Sequence, residues 1–146
     1  MLKGIPSCIS PELLKILAEM GHGDQITIGD AYFPAASLAA DHKAVRADGI
    51  SAATLLNAVL QLFPLDHWEK QSVTVMGKTI EDETMELAPK TRELISIVES
   101  FDAQAAKDVR IADRFAFYEH TRRSYAVVST GELENYGCII LQKGTE

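Results

Sequence analysis

From residue 10 onward, amphipathic segments with written helix starts and stops alternate with short apolar runs of strand period. That alternation restricts the chain to a layered α/β architecture. Ser10, Pro11 and Glu12 open the first helix with a hydroxyl cap, a proline at the first helical position and an acid at the positive end of the dipole. Leu13, Leu14, Ile16, Leu17 and Met20 fall on one face, and Gly21 supplies the stop. Residues 25–28 read as a strand, as do 43–47. Ser51 caps a second helix carrying Leu55, Leu56, Val59, Leu60 and Phe63, and Pro64 ends it. A third strand covers 73–76, an acidic surface loop 77–87, and a helix 89–101 with Leu94, Ile95, Val98 and Phe101 turned inward. A brief strand at 109–111, a helix over 113–123, a strand at 125–130, a turn at 131–136 and a last strand at 138–141 complete the pattern.

These elements predict one α/β domain over residues 1–146, with a largely parallel central sheet flanked by helices. The short link between the last two strands predicts a hairpin-like return. No repeat, low-complexity tract or linker divides the chain. Its 146 residues suffice to bury a core without disulfides or metal.

Composition narrows the function classes. Apolar residues make up 47% and charged residues 24%, the balance of a soluble globular protein. Net charge is −7 with 14 Lys and Arg and no basic stripe, which argues against nucleic acid as a partner. No apolar run approaches a bilayer span, and the N-terminus lacks a secretory signal pattern. The two cysteines, Cys8 and Cys138, form no CxxC pair, so reduced thiols in a cytoplasmic protein are expected. No His/Cys/Asp cluster has metal-ligand spacing, so no metal site is expected.

The chemistry-bearing stretch is Glu19-Met20-Gly21-His22-Gly23-Asp24, with Asp30 close behind at a strand's carboxyl end. Glycines on both sides of His22 let the backbone turn sharply and a ligand approach. Imidazole exchanges a proton near neutrality, and Asp30 adds an acceptor, so the pair resembles one end of a proton-transfer site for a small polar substrate. Plainer readings stand beside this one. His22 can cap the carbonyls of the preceding helix, and Asp30 can be a turn residue. Arg114 can be a solvated charge or pair with Asp113 or Glu119, and Tyr136 can be a packed turn tyrosine. Tyr118 and Glu119 suit structural or interface roles. His42, His67 and His120 read as surface residues, Cys8 as a packing residue or exposed thiol, and Arg46 with Asp48 as a strand-end ion pair.

Several blocks together resemble the L-fucose mutarotase and D-ribose pyranase family. They are Ile9-Ser10-Pro11-Glu12-Leu13-Leu14, the stretch from Ala18 to Asp24, Asp30-Ala31-Tyr32-Phe33-Pro34-Ala35, Arg46-Ala47-Asp48-Gly49, Arg114-Phe115-Ala116-Phe117-Tyr118-Glu119, Thr130-Gly131-Glu132 and Tyr136-Gly137. The Arg114 and Tyr136 blocks resemble the fucose branch more than the ribose branch. The resemblance implies a cofactor-free, metal-free isomerase that interconverts the anomers of a free monosaccharide, L-fucose first, by acid/base ring opening and reclosure. It implies His22 as the catalytic proton donor and Asp30 as a sugar ligand. Arg114 would hold a hydroxyl or the developing oxyanion, and Tyr136, Gly137 and Cys138 would line the pocket. It also implies self-association into a ring, often a decamer, with sites near subunit boundaries. The group that takes the O1 proton stays open among Tyr136, a carboxylate and a water. Cys138 departs from the asparagine usual in the fucose branch, and 36–43 lacks a clear family pattern. D-ribose pyranase and a non-catalytic sugar-binding protein are the alternatives.

Overall fold

The helix starts lie where the sequence wrote them. In the computed structural model, which describes residues 1–39, 43–78 and 87–146, Ser10 Oγ accepts from the Leu13 amide at 3.1 Å and begins α1, Pro11–Glu19. Ser51 Oγ does the same for the Thr54 amide and begins α3, Ala52–Leu60. Asp113 Oδ1 accepts from the Ala116 amide at 2.9 Å and begins α6, Arg114–Arg122. Each cap satisfies an amide that the helix cannot, a contribution of about 1 kcal/mol. The 13-residue helix α4, Pro89–Phe101, starts differently, with proline at its first position and Ala88 as a cap without a side-chain bond. Two four-residue helices, α2 (Ala35–Leu38) and α5 (Ala103–Ala106), escape sequence reading because one turn carries no periodic signal.

Six strands form one sheet: β1 Gln25–Gly29, β2 Lys43–Ala47, β3 Val73–Met76, β4 Val109–Ala112, β5 Ala126–Thr130 and β6 Ile139–Gln142. Their order is β2-β5-β1-β6-β3-β4. β1 and β2 both pair parallel with β5, and β3 pairs parallel with β4. β6 is antiparallel to β1 and β3, so five strands run one way and one runs back. The predicted hairpin between the last two strands does not form. β5 and β6 run in opposite directions but β1 lies between them, because β1 takes a parallel partner on one edge and β6 on the other.

Strand alternation divides the core between two faces. Ile26, Ile28, Ala126, Val128, Ile139, Leu141, Val73 and Val75 pack under α1, α3 and α4. Val127, Ile140 and Met76 face α2 and the Phe117 ring of α6. The buried Leu and Ile side chains of the larger layer each stabilise the fold by roughly 1.5–3 kcal/mol. Phe101, expected inside, is 42% exposed at the last turn of α4. Gly21 is not the left-handed stop of α1. Met20 caps that helix in an extended conformation, and the positive φ, +88°, belongs to Gly23. Lys143 Nζ takes the Leu17 and Met20 carbonyls, so His22 does not cap that helix. Most of the expected loop at 77–87, together with His42, lies outside the described residues. Among those described, no helix is long and apolar enough to cross a membrane.

Candidate active site

Ligands of α/β sheets gather beyond the carboxyl ends of the parallel strands, and here that edge carries a cleft of about 310 Å³. The volume sits at the lower end of ordinary small-ligand pockets, roughly 300–1,000 Å³. Asp30 enters it from the end of β1, Arg114 from the end of β4, and Tyr136 and Cys138 from the start of the antiparallel β6. The reversal of β6 therefore brings its first residues to the edge where its neighbours finish. Met76, Phe33 and Tyr118 form an apolar wall, with the Phe33 and Tyr118 rings edge to face at 5.6 Å. Tyr118, expected to be structural, both packs and lines the cleft.

Asp30 is buried, with 7% of its surface exposed. One carboxylate oxygen accepts from the Tyr32 amide at 3.0 Å, the other from the Cys138 thiol at 3.4 Å. Burial pushes its pKa up; the two hydrogen bonds offset this in part, and the charge of Glu132 adds to it. Burial and the Asp30 charge push the Cys138 thiol well above its ordinary value, so it remains a neutral donor. Arg114 occupies the first position of α6, where the helix dipole opposes a cation. Its guanidinium lies 4.8 Å from the centre of the Phe115 ring. Neither suggested partner holds it: Asp113 caps the helix, and Glu119 bonds Arg122. Tyr136 has φ +66°, and its carbonyl accepts from Thr91 Oγ1 at 3.2 Å. Gly137 is packed so closely that a Cβ would meet Glu132 Cγ at 2.7 Å.

His22 is elsewhere. It precedes β1, and Asp30 follows it. The five steps from Gln25 to Asp30, at about 3.3 Å each, put roughly 16 Å of strand between the loop that carries His22 and Asp30. Asp30 therefore cannot hold the His22 charge within one chain. The partner of His22 is Asp66, which the sequence reading gave no role. His22 Nε2 stands 3.1 Å from Asp66 Oδ1, with the imidazole 44% exposed and the carboxylate fully buried. The same oxygen accepts from the Trp68 amide at 2.9 Å, and the other accepts from Gln142 Nε2 at 2.8 Å. Burial alone would raise the Asp66 pKa, but bonds from Gln142, Trp68 and His22 outweigh it and hold the carboxyl below its ordinary value. An ionised carboxylate only accepts, so it places a proton on Nε2 and leaves Nδ1 for exchange. This dyad spans 44 residues and leaves no local signature.

Two other clefts, of about 350 and 250 Å³, lie near the amino ends of β3 and β4. The larger holds His67, exposed as expected, which pairs with Asp102 at 2.7 Å. It gathers no set of acid, base and cation like that around Asp30. His120, also expected at the surface, is half-buried, and burial with the Arg110 and Arg123 charges lowers its pKa. Arg46 pairs with Asp48 at 2.9 Å as expected. Among the described residues, no group of three His, Cys, Asp or Glu side chains is placed to hold a metal ion.

Comparison with known proteins bears on this arrangement. Residues 3–146 match the model of the RbsD / FucU transport protein family. The chain is 48% identical over 144 residues to an L-fucose mutarotase of Glaesserella parasuis, covering 99% of this chain and 95% of the relative. Among solved structures, it resembles FucU from Bifidobacterium longum at 40% identity, with a TM-score of 0.91 and 99% of each chain covered. It also resembles the fucose mutarotase of Streptococcus pneumoniae, solved in complex with L-fucose, at 38% identity, with a TM-score of 0.90 and the same coverage.

Proposed function

The chain belongs to the RbsD / FucU family, and on that premise we propose that it is an L-fucose mutarotase, an isomerase exchanging the anomers of the free sugar without a cofactor. The observation that carries this reading is the cleft. It collects a carboxylate, a guanidinium and a phenol from three separate parts of the chain, in a protein nearly half identical to an L-fucose mutarotase.

Anomer exchange needs one acid and one base. In the proposed cycle His22, as imidazolium, gives its Nδ1 proton to the ring oxygen while the proton on O1 departs. The bond from C1 to the ring oxygen breaks, C1 becomes an aldehyde carbon and rotates, and the ring closes on its other face by the reverse transfers. Asp66 holds the imidazole in place through its contact with Nε2. Asp30 takes the O1 proton, and burial, by raising its pKa, makes it a stronger base than an ordinary aspartate. Arg114 faces the developing oxyanion, and Tyr136, Gly137 and Cys138 shape the pocket.

Because His22 and Asp30 lie at opposite ends of β1, the reading requires His22 from a neighbouring copy. Exposed apolar side chains support such contacts. Tyr32 lines the cleft, Phe115 stands exposed next to Arg114 in the chain, and Trp68, 80% exposed, shares Asp66 with His22. Two different faces in contact make a head-to-tail interface, which closes into a ring when the rotation allows. We take that ring to be a decamer of one-domain subunits, 1–146, in the cytoplasm. The unpaired cysteines agree with a reducing compartment.

The test is anomer exchange by saturation-difference NMR on L-fucose and D-ribose side by side. Expected is exchange on L-fucose that His22→Ala reduces at least about 10²-fold, the ordinary worth of a positioned acid. Exchange on D-ribose alone would move the protein to pyranase activity. Saturable sugar binding without exchange would make it a binding protein.

A further inference from the structure

The first turn of α4 breaks two local rules. Ala88 offers no side-chain cap, although Ser10, Ser51, Asp102 and Asp113 cap the helices they precede. Lys90 puts a cation at a helix start, against the dipole. Departures from the local rules of this kind are expected at functional or strained sites. Thr91, fully buried, turns its hydroxyl away from α4 and donates to the Tyr136 carbonyl at 3.2 Å. Lys90, 8% exposed, reaches Glu93 at 2.7 Å and the buried Glu132 at 3.5 Å.

Glu132, from the Thr130-Gly131-Glu132 block, ties the loops of the cleft together. Its carboxylate accepts from the Glu134 amide at 3.1 Å and the Ala52 amide at 3.3 Å. Its carbonyl accepts from the Ala31 amide at 2.8 Å, next to Asp30. The Cα of Gly137 rests where a Cβ would strike Glu132 Cγ and press on Lys90 Cγ. The residue in the middle of this scaffold is Tyr136, an aromatic residue at φ +66°. A bulky residue keeps a left-handed conformation only where its surroundings enforce it, and such residues gather at ligand sites.

We propose that Thr91, backed by the Lys90–Glu132 ion pair, is a positioning residue that acts through Tyr136, locking its left-handed backbone so that the ring faces the sugar. The proposal rests on the reading of the cleft as the sugar site and adds the device that sets its wall. Thr91 touches no sugar. Its hydroxyl fixes the Tyr136 carbonyl, and the glutamate–lysine pair closes the space behind Gly137.

The experiment is a double-mutant cycle on the full-length protein, with Thr91→Val, Tyr136→Ala and both together, read as KM and kcat for L-fucose exchange. Expected is a rise in KM of roughly five- to tenfold for Thr91→Val, the worth of one buried hydrogen bond, with kcat within about twofold. Thr91→Ser, which keeps the hydroxyl, restores KM. In the Tyr136→Ala background Thr91→Val has no further effect, since the residue it acts through is gone. Equal effects of Thr91→Val in both backgrounds would overturn the proposal. So would a lowered Tm with unchanged KM, which marks a merely structural threonine. If Thr91→Val fails to fold, the same cycle with Thr91→Ala, which also removes the hydroxyl, carries the test on the same criteria. A wild type silent on L-fucose overturns the underlying reading and the proposal with it, whereas an active wild type with additive variants overturns the proposal alone.

Discussion

Asp30 and Asp66 are buried aspartates with opposite electrostatic settings. Asp30 has a raised pKa, so the folded protein binds its proton more tightly than the unfolded chain does. Stability therefore falls as pH rises from the ordinary aspartate value through the raised one, and the ionised group remains a liability at neutral pH. Asp30→Asn removes that liability. The expected outcome is a higher Tm than wild type at neutral pH, a difference that shrinks on acidification, and at least about 10²-fold slower L-fucose exchange. Thermal melts across the acid range and exchange rates check it; a Tm that falls at neutral pH would contradict it. Asp66 has the reverse sign. Its lowered pKa gives stability above the ordinary aspartate value that is lost as pH falls through the lowered one. Motifs made Asp30, Arg114, Tyr136, Gly137 and Cys138 legible as candidates, because each sits in a recognisable short block. Asp66, Thr91 and Lys90 were not legible, since their partners His22, Tyr136 and Glu132 are 42 to 45 residues away.

At the scale of elements, α6 shows how a cap serves a site. Asp113 fixes the first turn, and Arg114 projects from that turn into the cleft. Asp113→Ala is expected to cost about 1 kcal/mol, seen as a Tm lower by a few degrees. It should also raise KM for the sugar, since Arg114 loses the turn that aims it; calorimetry and a substrate titration check the two effects. Caps, periodicity and β-branched runs made α1, α3, α4, α6 and all six strands readable, since each signal is local. The neighbours of β6 were not readable. A short connection between β5 and β6 suggests a hairpin, but β1 separates them by offering one edge to each.

For the whole molecule, the decisive fact is that His22 and the Asp30 cleft lie at opposite ends of β1. If neighbouring copies complete each other's sites, His22→Ala and Asp30→Asn must complement. Each variant alone is inactive, yet dissociated and reassembled mixtures should regain about a quarter of wild-type exchange, the share of random contacts pairing an intact His22 with an intact cleft. No recovery, in an assembly shown by light scattering to mix subunits, would place His22 outside the site. The four longer helices, the six strands, the layered α/β class and the blocks that carry the candidate residues were legible along the chain, because caps, periodicity and motifs are written in adjacent positions. That β6 runs antiparallel through the sheet, bringing Tyr136 and Cys138 to Asp30, and that His22 stands apart with Asp66, emerged with the folded chain. Such pairings depend on strand order and direction, which no local stretch of sequence encodes.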